Sequence, residues 1–93
     1  MTYEEVSKIS EKTLDERRAI DSLREELNAV DLYNQRADAT KNESLKKILI
    51  HNANEEKEHA AMLIEWLRRN DKEFEKELKD YLFSDKEINH WNK

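Results

Sequence analysis

The sequence predicts an all-α fold: an antiparallel two-helix hairpin and a short C-terminal helix, with two copies pairing to complete a four-helix bundle. Three observations carry this prediction. The chain has no Gly, no Pro and no Cys, which removes the usual turn residues of sheet proteins, glycine-rich phosphate loops and every thiolate-based scheme. Its apolar residues recur in steps of three and four, the period of one helix face. At 93 residues, 37% hydrophobic and 42% charged, against about 25% charged in an ordinary domain, residues 1–93 read as one small domain. Much of its apolar surface must then be shared with a partner.

The first seam runs through Val6, Ile9, Thr13, Ile20, Leu23, Leu27 and Val30. Thr2 with Glu5, and Thr13 with Glu16, both have the Ser/Thr-x-x-Glu spacing of a capping box, so the first helix, about residues 5–38, can begin near either. Asp38-Ala39-Thr40-Lys41-Asn42 offers turn and cap residues, and Thr40 with Glu43 can open the next helix. So short a connection makes the neighbours antiparallel. The second helix, about 43–69, carries Leu45, Ile48, Leu49, Leu63, Trp66 and Leu67 on its apolar side, and Arg68 and Arg69 suit its negative end. Asn70 is placed to take the left-handed conformation that ends a helix, and Asp71 to cap the third helix. That helix, about 72–83, sets Phe74, Leu78, Tyr81 and Leu82 on one side. The tail, 84–93, is polar apart from Ile88 and Trp91 and is expected to be loosely held.

Seventeen basic residues against 22 acidic ones give a net charge of −5, which argues against nucleic acid, whose phosphates are bound by clustered Lys and Arg. No stretch approaches the ~20 apolar residues of a membrane span, and Met1 to Ile20 holds no secretory apolar run. The absence of cysteine suits a reducing cytoplasm.

Followed in alternating steps, the second seam reads Leu45, Leu49, Asn52, Glu56, His59, Leu63, Trp66. Three consecutive positions are polar where a helix seam calls for hydrocarbon. A carboxylate and an imidazole there are costly unless they are paired or bind a metal, and Glu56-x-x-His59 has the i, i+3 spacing that puts both on one face. Lys41 lies midway between Glu26 and Glu56, so in an antiparallel hairpin both carboxylates stand roughly 22 Å from the turn at about 1.5 Å per residue. Glu26, Glu56 and His59 then share one height. Four-helix di-iron carboxylate proteins take a Glu from each of two helices and a Glu-x-x-His from each of the other two. This chain carries half of that set, and a two-fold dimer duplicates it. Four carboxylates balance two ferrous ions, so metal is expected to tighten the dimer.

A lone Glu-x-x-His in a charged helix is ordinarily a solvated face, and Glu55 and Glu58 are read that way. His51, four residues before Glu55, is read as a surface ion-pair partner and His90 as solvent-exposed without a partner. Trp66, Leu63 and Phe74 are read as core.

Three blocks resemble the encapsulated ferritins, short two-helix ferritin-like chains that assemble as rings of dimers: Glu25-Glu26-Leu27-x-Ala29-Val30-Asp31, His51-Asn52-x-x-Glu55-Glu56-Lys57-Glu58-His59-Ala60-Ala61-Met62, and Glu65-Trp66-Leu67-Arg68-Arg69-Asn70-Asp71. The similarity extends from about Arg18 to Phe83. It implies a ferroxidase that binds iron, two ions per dimer, at Glu26, Glu56 and His59, with Tyr33 as the family's tyrosine near the metal. It also implies a ring-shaped decamer held as cargo inside an encapsulin shell in the cytoplasm, where oxidised iron is stored as mineral. Glu25 corresponds to an outer site through which metal enters; this chain has Asn28 where relatives complete that site with a carboxylate. Leu32 stands where they have tryptophan, and no docking peptide is recognisable after Phe83.

Two other readings use the same residues. One is a non-catalytic helical oligomerisation module in which Asn52, Glu56 and His59 set the register. The other is a zinc or manganese protein, since the same donors suit those metals, with calcium a further candidate at the same or outer sites. The third helix and Trp66 are the candidates for a second subunit interface.

Overall fold

The structure, a computed structural model, describes residues 2–90. A 3-10 turn at Val6–Lys8 leads into three α-helices, α1 (Glu11–Ala39), α2 (Glu43–Asn70) and α3 (Lys72–Tyr81), and there is no strand among the described residues. α1 and α2, of 29 and 28 residues, pack along their lengths as an antiparallel hairpin. α3 packs on α2.

Local chemistry sets the helix ends, not always at the residues the spacing suggests. α1 starts at Glu11 because Ser10 caps it, its Oγ accepting from the Thr13 amide at 3.2 Å. Thr13 therefore lies inside the first turn, and Thr2 spends its hydroxyl on the Glu4 carbonyl at 2.7 Å. The 3-10 turn occupies the stretch expected to open the helix near residue 5. α2 is capped by Asn42, whose Oδ1 accepts from the Leu45 amide at 2.9 Å, while the Thr40 hydroxyl accepts from the Asn42 amide at 3.2 Å. Asp71 caps α3 by accepting from the amides of Glu73 and Phe74, both at 3.0 Å.

Asn70 does not take the left-handed conformation. It stays helical and donates its side-chain amide to the Trp66 carbonyl at 2.9 Å, because Asp71 in an extended conformation (φ −141, ψ 109) is the whole α2–α3 joint. The left-handed residue is Phe83, at φ 58.

Alanine fills most of the hairpin's inner layer. Among the described residues the buried apolar side chains are Ala19 and Ala37 of α1 and Ala53, Ala60 and Leu67 of α2. Ala53, Ala60 and Leu67 fall seven residues apart, one stripe of a helix, and their small size lets the axes approach closely. The large seam residues are pushed outward in consequence. Of the expected apolar side of α2 only Leu67 is buried; Leu49 and Leu63 are half-buried, and Leu45, Ile48 and Trp66 are exposed. Trp66 and Phe74 are therefore not core within one chain.

α2 and α3 are joined by a chain of ion pairs. Glu65 accepts from Arg68 Nε at 2.7 Å and from Arg69 Nε at 2.6 Å, Arg68 reaches Glu75 across the joint at 3.8 Å, and Glu75 pairs with Lys79 at 2.9 Å. The tail is tied as well, since the Tyr81 hydroxyl donates to the Asn89 carbonyl at 3.1 Å. His90, expected to lack a partner, is exposed but interacts within the chain. Trp91 lies outside the described residues.

Candidate metal centre

The antiparallel register brings Glu26 of α1 level with Glu56 and His59 of α2, and one donor atom from each lies within 4.8 Å of the others. His59 Nδ1 is 3.5 Å from Glu26 Oε2 and 3.5 Å from Glu56 Oε2. Both are long beside the ~2.7–2.9 Å of a charge-assisted hydrogen bond. The two carboxylates are mostly enclosed, at 23% and 24% side-chain exposure, while His59 is 48% exposed. Glu26 Oε2 is buried without a hydrogen-bond partner. Such orphaned oxygens are rare and call for an explanation.

Electrostatics reflect the crowding. The Glu26 carboxyl is pushed above its ordinary value, first by the proton it can share with Glu56, then by burial and the Glu56 charge, against the opposing pull of His59. Burial pulls His59 down, but the nearby Glu26 and Glu56 carboxylates outweigh it and raise the imidazole. Two carboxylates and one imidazole, with an oxygen left unsatisfied, fit a divalent transition metal. Three donors from one chain leave coordination positions open.

The surroundings separate the other sequence candidates. Glu25 is exposed and lies outside the cluster. Tyr33 lies seven residues beyond Glu26, roughly 10 Å along the helix axis, half-buried with the Arg36 guanidinium 5.9 Å above its ring. His51 Nε2 meets Glu55 at 3.6 Å, as its i, i+4 spacing leads one to expect. The seam placed Leu27 on the inner side of α1, but it is 53% exposed, and Met62, which lay on neither seam, is 65% exposed. Met62 follows His59 by three residues and Trp66 by spacing shares that side, so the donors sit within an exposed apolar surface. Such surfaces mark interaction sites.

A protein-family model described as EncFtn-like matches residues 1–85. An encapsulated ferritin-like protein of Rhodospirillum rubrum is 51% identical over 84 residues, covering 90% of this chain and 60% of the relative, so the chain spans less than two thirds of that protein's length. A ferritin-like protein of Thermotoga maritima is 52% identical over 86 residues, covering 92% of this chain and 75% of the relative. The crystal structure of a protein from Nitrosomonas europaea superposes with a TM-score of 0.91 at 62% identity, covering 96% of this chain and 98% of that one.

Proposed function

The chain belongs to the EncFtn-like family, and from that premise we propose that it is a ferroxidase whose centre forms between two copies. Each copy contributes Glu26, Glu56 and His59, and the pair holds two Fe(II) ions as substrate. The observation that carries this reading is the buried Glu26 Oε2 that makes no hydrogen bond, within 4.8 Å of donors on Glu56 and His59, beside exposed apolar residues. A cation supplies the missing partner and neutralises the repulsion between the carboxylates. Two-fold pairing covers the face and doubles the donors to four carboxylates and two imidazoles.

Within this arrangement the protein's residues have distinct tasks. Glu26 and Glu56 hold charge opposite the metal, and binding requires both to be ionised. His59 binds as the neutral imidazole, so it must shed the proton that the two carboxylates favour. The iron supplies the electrons: two Fe(II) give one each to dioxygen, which with two protons leaves as hydrogen peroxide, and ferric iron departs toward mineral. Glu25 serves the outer approach of the ions and Tyr33 acts near the partner's donors. We further propose a ring-shaped decamer of such dimers, held as cargo in an encapsulin shell within the cytoplasm; the encapsulated description of the Rhodospirillum relative supports the shell.

The test is aerobic Fe(II) oxidation followed by ferric absorbance. Wild-type protein accelerates it above the buffer rate, and Glu56→Ala, which keeps an α-helical side chain, returns it to the buffer rate. An unchanged rate in the variant overturns the reading. Failure of the wild type with iron bound leaves the zinc or manganese alternative, since zinc has no redox chemistry.

A further inference from the structure

We propose that Asn52 is a positioning residue for the candidate metal centre, its side-chain amide donating to the Glu56 carboxylate and fixing that carboxylate for the metal. The inference deepens the metal reading of Glu26, Glu56 and His59 and rests on it. Asn52 is half-buried in the middle of α2. An asparagine inside a helix is less favourable than leucine, and this one also interrupts a seam where leucine would bury hydrocarbon. The other asparagines of α2 and its cap are engaged within the chain: Asn42 accepts from the Leu45 amide, Asn54 accepts from Lys57 Nζ at 3.3 Å, and Asn70 donates to the Trp66 carbonyl. Among the described residues the Asn52 side chain makes no such bond.

Helical spacing leaves Glu56 as its acceptor. Side chains three and four residues apart on a helix are neighbours, with Cβ atoms about 5–6 Å apart, which gives Asn52 two carboxylates, Glu55 and Glu56. Glu55 is exposed and already meets His51 at 3.6 Å, whereas Glu56 is half-buried, as Asn52 is. Seen from Glu56, the neighbours at the same spacings are Asn52, Ala53, His59 and Ala60. His59 is itself a donor to the metal, so Asn52 is the side chain left to hydrogen-bond the carboxylate. Across the hairpin the register that levels Glu26 with Glu56 levels Asn52 with Val30, which has no polar group to offer. Without metal, Glu56 is engaged with Glu26 and lies 3.5 Å from the His59 imidazole. When those two side chains turn to a cation, a Glu56 oxygen loses its partner, and ligating carboxylates are themselves hydrogen-bonded in metal sites. The Asn52 amide is one helical turn away and free to donate.

The experiment compares Asn52→Leu and Asn52→Gln with wild type in the full chain, using cobalt(II), which takes the same nitrogen and oxygen donors. Leucine removes the amide and is the better helix former; glutamine keeps the amide. Asn52→Leu is expected to lower cobalt affinity by about 10–100-fold and to shift the visible cobalt bands at saturation. Its metal-free form should unfold at the wild-type temperature or above it, so affinity and stability move apart. Asn52→Gln should recover most of the lost affinity. Wild-type affinity and bands in Asn52→Leu overturn the inference and leave the metal reading standing. Earlier unfolding of metal-free Asn52→Leu overturns it too, because Asn52 then supports the helix and not the site, as does equal loss of affinity in both variants. Wild-type protein that binds no cobalt overturns the metal reading and this inference with it.

Discussion

Two carboxylate clusters sit on α2, less than ten residues apart, and resolve their charge in opposite ways. Around Glu65 every carboxylate meets a cation: Arg68 and Arg69 hold Glu65 down at about 2, and Lys79 lowers Glu75. Around Glu56 the neighbours are another carboxylate and His59, Glu26 is raised, and the buried Glu26 Oε2 makes no hydrogen bond. The first cluster is complete within the chain and joins two helices. The second has only the His59 imidazole, at 3.5 Å from each carboxylate, to offset its charge, which distinguishes a structural network from a candidate site.

The sharpest way to break this contrast is to delete one carboxylate from each. Changing a group that only hydrogen-bonds to a metal ligand costs roughly 10–100-fold in metal affinity, so Glu56→Ala is expected to lower Fe(II) affinity by at least about 100-fold while leaving thermal unfolding intact. Glu65→Ala should do the reverse, loosening α3 without changing iron binding. Calorimetric iron titration and thermal denaturation of both variants measure the two effects. Equal iron affinities erase the distinction.

Glu26→Gln gives a smaller effect of mixed sign. It removes one charge per chain and keeps the shape, so the metal-free dimer should dissociate less readily while iron binds more weakly. Sedimentation of the variant with and without Fe(II) reads both. A metal-free dimer no tighter than wild type shows that the carboxylates do not repel across the interface.

Acidity separates the clusters next. Glu65 ionises at about 2 in the fold against an ordinary 4.5, so its contribution is complete above pH 4.5 and is lost as pH falls toward 2. His59 is raised above its ordinary 6.5, so in metal-free protein its contribution is present below 6.5 and fades as pH rises through the folded value. Metal-free protein should therefore lose stability at both ends of a pH series, and Glu65→Ala should flatten only the acid side. The smallest effect belongs to Arg69→Ala. That side chain is 69% exposed and Arg68 also holds Glu65, so its removal should barely move the unfolding temperature.

How much of this was legible in the sequence follows from what each residue's position depends on. The hairpin and the level placement of Glu26 and Glu56 were readable because chain length from the turn fixes height in an antiparallel pair. The inner layer was not, because Ala19, Ala53 and Ala60 carry little hydrophobic signal beside Leu45, Ile48 and Trp66. Only the packing shows that the small residues are enclosed and the large ones left outside. The start of α1 was missed because Ser10, without a Glu three residues on, lacks the capping-box pattern that Thr2 and Thr13 display. The left-handed Phe83 had no sequence signal at all, aromatic residues being poor candidates for that conformation.

The central claim is that Glu26, Glu56 and His59 are half of a centre completed by a second copy. An anaerobic Fe(II) titration read by native mass spectrometry tests it most directly. The account predicts one iron per chain, found in dimers and their multiples and absent from monomers. A folded oligomer that binds no iron, or a monomer that binds it as well as the dimer does, contradicts it.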